Sequence, residues 1–209
     1  MRRAIVVAAL ALALATTAAG AVAVALGAAS VTSESTDAPP AHAALGDVSP
    51  DDYCYVEAMI YYRVEETELA RTLLRKDGVS ADVSAHAQEL LARDAAELDE
   101  FREWYVSWAD ARPVEPPEEG VCAGHGTDHA QMPGMPSWSR QRALADAAPP
   151  DAEREFVGIL RAQNEGLAAL VTLIIEADPH PRVAESAERV LAEASVDLEA
   201  LERLAAALR

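Results

Sequence analysis

Basic side chains are scarce in this chain. Its 209 residues hold 17 Lys and Arg against 35 Asp and Glu, a net charge of −18. Such a surface repels phosphates, which excludes nucleic acid as a partner. Strand patterns are missing as well, since no run of four or more residues alternates apolar and polar convincingly, and an all-α fold is expected. The sequence also lacks a Ser-His-Asp arrangement, a Gly-rich phosphate loop and the Glu-x-x-His pairs of di-iron bundles, so no enzyme is expected. The length suits one domain and hardly two.

Charge is also absent from a long N-terminal run. Arg2 and Arg3 precede Ala4 to Ser30, which carries no charged side chain. A positive flank before an apolar run is how export signals begin. The run is long enough to span a membrane, so residues 1–30 read as a signal peptide or an uncleaved membrane anchor. Thr16, Thr17 and several glycines weaken the span, and Ala41-His42-Ala43 is a candidate cleavage site. Either outcome places the remainder outside the cytoplasm, tethered or secreted. Residues 31–48, rich in Ser, Thr, Ala and Pro, read as a flexible tether. Only two cysteines exist, Cys54 and Cys122. In an oxidising compartment two thiols most often pair; soft metal ligation is the alternative.

What is present after residue 49 is helical periodicity. Ser49-Pro50-Asp51-Asp52 holds a cap, a first-turn proline and acids suited to the positive helix end. The spacing predicts helices over about 50–76, 80–108, 151–176 and 181–208, each with one apolar stripe, as in a four-helix bundle. Val83 to Ala92 lines up with Val183 to Ala192 at an offset of 100, which points to one helical hairpin used twice in a domain over 49–209. Residues 110–150, rich in Pro and Gly, are expected to form a long loop between the copies.

Met59-Ile60-Tyr61-Tyr62-Arg63 in the first helix, Leu160-Arg161-Ala162-Gln163-Asn164-Glu165-Gly166 in the third, and the loop from Gly124 to Met135 carry a resemblance to the family known as domain of unknown function 305. These are ferritin-like helical proteins of bacterial envelopes, some associated with copper. The resemblance covers roughly Asp51 to Leu208 and implies a ferritin-like bundle with a metal held by paired histidines on the helices. Here those pairs are replaced by Tyr62, Arg63, Gln163 and Asn164. A guanidinium has no lone pair to offer and carboxamides are weak ligands, so this helical site reads as dismantled.

Two readings of Arg63 stand open. In one it is buried, paired with Glu66 or Glu165 and hydrogen-bonded to Gln163; in the other it snorkels to solvent. The loop keeps His125, His129, Met132 and Met135, a candidate site for a copper ion, with Asp128 and Cys122 nearby. His86 and His180 are isolated. Tyr53, Tyr55, Tyr61, Tyr62, Trp104, Tyr105 and Trp108 read as core and helix-end packing, and the many helix carboxylates as solvated faces. The expected function is a non-enzymatic accessory in copper-type metal handling with a degenerate helical site. The alternative is a metal-free structural or protein-interaction bundle, its protein partner unspecified.

Overall fold

The computed structural model describes residues 48–109, 121 and 131–209. The expected leader, the tether up to residue 47, and Cys122, His125, Asp128 and His129 lie outside the described residues. Five helices and no strand occur among those described: α1 Pro50–Leu74, α2 Ala81–Ala109, α3 Trp138–Asp146, α4 Pro149–Glu176 and α5 Pro181–Ala207. α1 packs along α2 and α4 along α5, and α1 also packs across α4.

Sequence chemistry sets the helix ends. The Ser49 hydroxyl accepts from the Asp52 amide, and the Asp52 carboxylate accepts from the Ser49 amide, a capping box that satisfies two otherwise orphaned donors. Asp52 reaches further, and its other oxygen accepts from the His180 amide at 2.8 Å where α5 begins. Glu153 on α4 does the same for α2, accepting from the Ser80 amide at 2.9 Å and the Ser80 hydroxyl at 2.6 Å. Each hairpin's first helix therefore caps the other hairpin's second helix.

The repeat is deeper than the sequence shows. Every buried position of α1 except Thr67 has a buried counterpart 101 residues later on α4, with Tyr55 matched by Phe156, Met59 by Leu160 and Leu73 by Ile174. On α2, Val83, Ala87, Leu90, Asp94, Glu97 and Phe101 are buried, as are the residues 100 positions later on α5. The four long helices share two apolar clusters. One gathers Tyr55, Met59, Phe101, Val171 and Val183; the other gathers Leu73, Val83, Phe156, Ile159 and Leu201. Burying each such side chain contributes about 1.5–3 kcal/mol. Along every helix a polar or small stretch separates the two clusters.

The expectation of an irregular segment over 110–150 is corrected at its C-terminal end by α3. That helix has nine residues and a single fully buried anchor, Leu144, too little for a periodic stripe to show. Ser137 caps its start, and Lys76 Nζ donates to the Ala145 and Ala147 carbonyls at its end, at 2.6 and 2.9 Å. α4 then begins at Pro149, two residues ahead of the expected Asp151, because Pro149 and Pro150 both fit a first helical turn.

Candidate functional site

The motif positions of α1 and α4 fall in the polar stretch between the two clusters. Arg63 is 2 % exposed, which removes the snorkelling reading. Its Nε donates to Glu97 Oε2 at 2.5 Å and an Nη to Glu66 Oε2 at 2.7 Å. Glu97 also accepts from Arg189 on α5 at 2.8 Å, and Arg189 reaches Glu100 at 3.1 Å. A second cation, Arg93, holds Asp197 at 2.8 Å. Burial alone would lower the Arg63 pKa; Glu66 and Glu97 outweigh it and hold the guanidinium charged.

Asp94 is the odd member. It is fully buried, and neither carboxyl oxygen has a hydrogen-bond partner. Arg63 Nε lies 3.9 Å away and Arg93 Nε 3.7 Å, both too long for hydrogen bonds. Burial first, then the neighbouring Glu66 charge, push its carboxyl up to about 8, against the pull of Arg63 and Arg93. Both effects favour the protonated carboxyl.

Tyr62 and Gln163 turn toward a strap, residues 131–136, that crosses α1 and α4. The Tyr62 hydroxyl donates to the Pro133 carbonyl at 2.6 Å, and burial raises its pKa. Gln163 Nε2 approaches Met135 Sδ at 3.5 Å. Gly134, with φ +76°, lies so near α4 that a Cβ there would sit 2.0 Å from the Ala162 carbonyl oxygen; a Cβ at Gly166 would sit 2.2 Å from that of Pro133. Only two glycines allow the crossing. Met132 is buried in the first cluster and Met135 packs against it.

The expected Arg63–Gln163 hydrogen bond is thus corrected: the Gln163 amide is taken by Met135, and its Oε1 is buried without a partner. Glu165 is not the Arg63 carboxylate either, since it faces outward beside Arg161 at 3.6 Å. Asn164 donates to the Leu160 carbonyl of its own helix at 3.0 Å. The structure joins two features that sequence reading held apart, because Met132 and Met135 meet the motif positions Tyr62 and Gln163.

These residues do not fit a histidine-type metal site. Where nitrogen lone pairs are needed, the helices present a guanidinium bonded to two carboxylates, a phenol donating to a carbonyl and two carboxamides. Among the described residues no three His, Cys, Asp or Glu side chains are grouped to hold an ion.

Glu66 is the buried partner expected for Arg63, but sequence reasoning missed the other buried carboxylates. Asp52, Asp94, Glu97, Glu153 and Asp197 lie inside rather than on solvated faces. Asp94 and Glu97 do stand at the spacing of the α2 apolar stripe, between Leu90 and Phe101, and that was the available signal. The aromatic reading holds for Tyr55, Tyr62, Trp104 and Trp108, all buried, while Tyr61 is partly exposed. His180 caps α5, accepting from the Arg182 amide at 3.2 Å. His86 is half-buried, with burial lowering its pKa. Cys54 packs against the first cluster.

A family model described as Domain of unknown function (DUF305) matches residues 52–205. Two solved structures share the fold. A fragment from Deinococcus radiodurans of that family is 18 % identical, covers 76 % of this chain and 97 % of its own, and superposes with a TM-score of 0.63. A Streptomyces coelicolor member described as a candidate secreted protein is 16 % identical, covers 77 % and 94 %, and gives 0.65. No curated protein matches the chain.

Proposed function

We propose, for a chain that belongs to the family described as Domain of unknown function (DUF305), a non-enzymatic role outside the cytoplasm as a ferritin-like helical bundle carrying its own fixed cation where a metal-binding relative would hold an ion. The observation that carries this reading is Arg63, 2 % exposed and hydrogen-bonded to Glu66 and Glu97 at a motif position. A guanidinium there supplies positive charge to the buried carboxylates and leaves no lone pair for a metal. The secreted description of the Streptomyces relative supports the location. In the same reading residues 1–30 export or anchor the bundle, and Cys54 pairs with Cys122 as a disulfide.

A second reading, copper-type metal handling, rests on the strap. Met135 already contacts Gln163 and Met132 is buried beside it, so thioethers suited to Cu(I) stand close to the motif positions. His125 and His129 would complete the set.

Titrating the full chain with Cu(I), Cu(II) and Zn(II) separates the two. The first reading expects no ion between α1 and α4, with dissociation constants weaker than about 1 mM for all three, equivalent to about 4 kcal/mol. Tighter Cu(I) binding that disappears when His125, His129, Met132 and Met135 are replaced together supports the second. An ion coordinated at the level of Tyr62, Arg63, Gln163 and Asn164 overturns the first.

A further inference from the structure

α3 adds to the bundle a surface that the helical repeat does not use. It lies beside α1, anchored by Leu144, and leaves a groove of about 570 Å³ between the two helices. At the groove stands Trp138, 74 % exposed, the most exposed large apolar side chain among the described residues. Trp104 and Trp108, by contrast, are buried in the first cluster. An indole left in water at a groove is a hallmark of recognition surfaces, where Trp and Tyr carry much of the binding energy.

The polar lining indicates what the groove takes. Glu65, Glu68 and Asp146 contribute carboxylates against one cation, Arg142. Arg142 is itself drawn to Asp146 at 3.3 Å, and Glu68 has an exposed partner in Arg71. Glu65 is different. It is half-buried, and its hydrogen-bond partner is a neutral amide, Gln141, at 2.8 Å. Its carboxyl is raised by burial first and by the Glu68 charge, and Gln141 only partly opposes this. A half-buried anion next to a second anion, with no cation bonded to it and an open indole across the groove, complements a flat, weakly hydrated cation. A guanidinium can stack on the indole face and present its N–H fork to a carboxylate. Phosphates and acidic peptides are disfavoured by the same charges.

We propose that the α1–α3 groove is a docking site for an arginine side chain on an extended, basic segment of a partner protein, with Trp138 as the stacking platform and Glu65 and Glu68 as the anionic side. The excess negative charge of the whole chain steers such a segment inward, and the groove gives it register. The site uses none of the motif residues on α1 and α4, so its failure leaves the reading of Arg63 untouched.

Calorimetric titration of the full chain with tetra-arginine and tetra-lysine peptides at low salt tests the assignment. Trp138→Ala and the double variant Glu65→Gln/Glu68→Gln each weaken tetra-arginine binding by about tenfold or more, and tetra-lysine binds the native chain several-fold more weakly than tetra-arginine. A control, Glu199→Gln/Glu202→Gln, removes two carboxylates from exposed positions on α5 and leaves affinity within about twofold. Thermal melts identify any variant that has lost its fold, and Trp138→Phe, which keeps a ring, retains most of the affinity. Absence of binding, or an equal loss in the α5 control, overturns the groove as the site. Equal affinity for the two peptides overturns the arginine assignment.

Discussion

The two hairpins bury matching positions but fill them with different chemistry. At the level of the polar layer, the first hairpin holds Arg63, Glu66, Asp94 and Glu97, whereas the corresponding positions of the second hold Asn164, Leu167, Ala194 and Asp197. One half carries an ionic cluster, and the other is nearly neutral. The backbone scaffold and the cross-hairpin caps from Asp52 and Glu153 are common to both. A duplicated architecture thus tolerates different interiors, with Arg63 paired both along its own helix to Glu66 and across to Glu97 on α2.

The largest break of this comparison should come from Arg63→Ala. It strands Glu66 inside the bundle, leaves Glu97 with Arg189 alone, and should cost about 3–5 kcal/mol in urea unfolding. Asn164→Ala at the matching position removes one hydrogen bond within its own helix and should cost about 1 kcal/mol. Equal losses from the two would contradict the asymmetry.

Asp94→Asn works in the opposite direction. The folded carboxyl is pushed up to about 8, against about 3.9 for an aspartate in water, so across that window the folded chain keeps a proton that the unfolded chain has released. Its contribution to stability is therefore fully present below about pH 4 and is lost as pH rises toward 8. Asn mimics the protonated form without that dependence. The variant should be more stable than the native chain by about 1–3 kcal/mol at neutral pH, with a flatter stability profile between about pH 5 and 8. Unfolding curves at several pH values measure both effects, and an unchanged slope would show that Asp94 is ionised in the fold.

The smallest effect sharpens the symmetry. Asp52→Ala and Glu153→Ala each uncap a helix of the other hairpin and should cost about 1 kcal/mol apiece by thermal melting. Amide exchange should quicken at the start of α5 in the first variant and at the start of α2 in the second. Loosening at the other end would break the reciprocal arrangement.

The long helices were legible because apolar residues recur at three- and four-residue spacing, and Ser49, Pro50 and Pro181 mark helix starts by local backbone chemistry. The offset between Val83 and Val183 was visible for the same reason. α3 was not legible, as one buried leucine in nine residues makes no period. Glu66 was named as a partner for Arg63 from its position one turn along the same helix, a local relation. Glu97 lies 34 residues away on another helix and left no local trace.

The sequence by itself determined that this is an acidic, helical, internally repeated chain and that its motif positions lack histidine, since periodicity, charge and ligand chemistry are properties of residues along a line. The tertiary structure alone decided that Arg63 is buried, that Glu97 rather than Gln163 completes its pairing, and that the Met132–Met135 strap lies on the motif. Whether a charge can remain inside depends on which donors and acceptors other helices bring within about 3 Å, and that distance is set only when the hairpins pack.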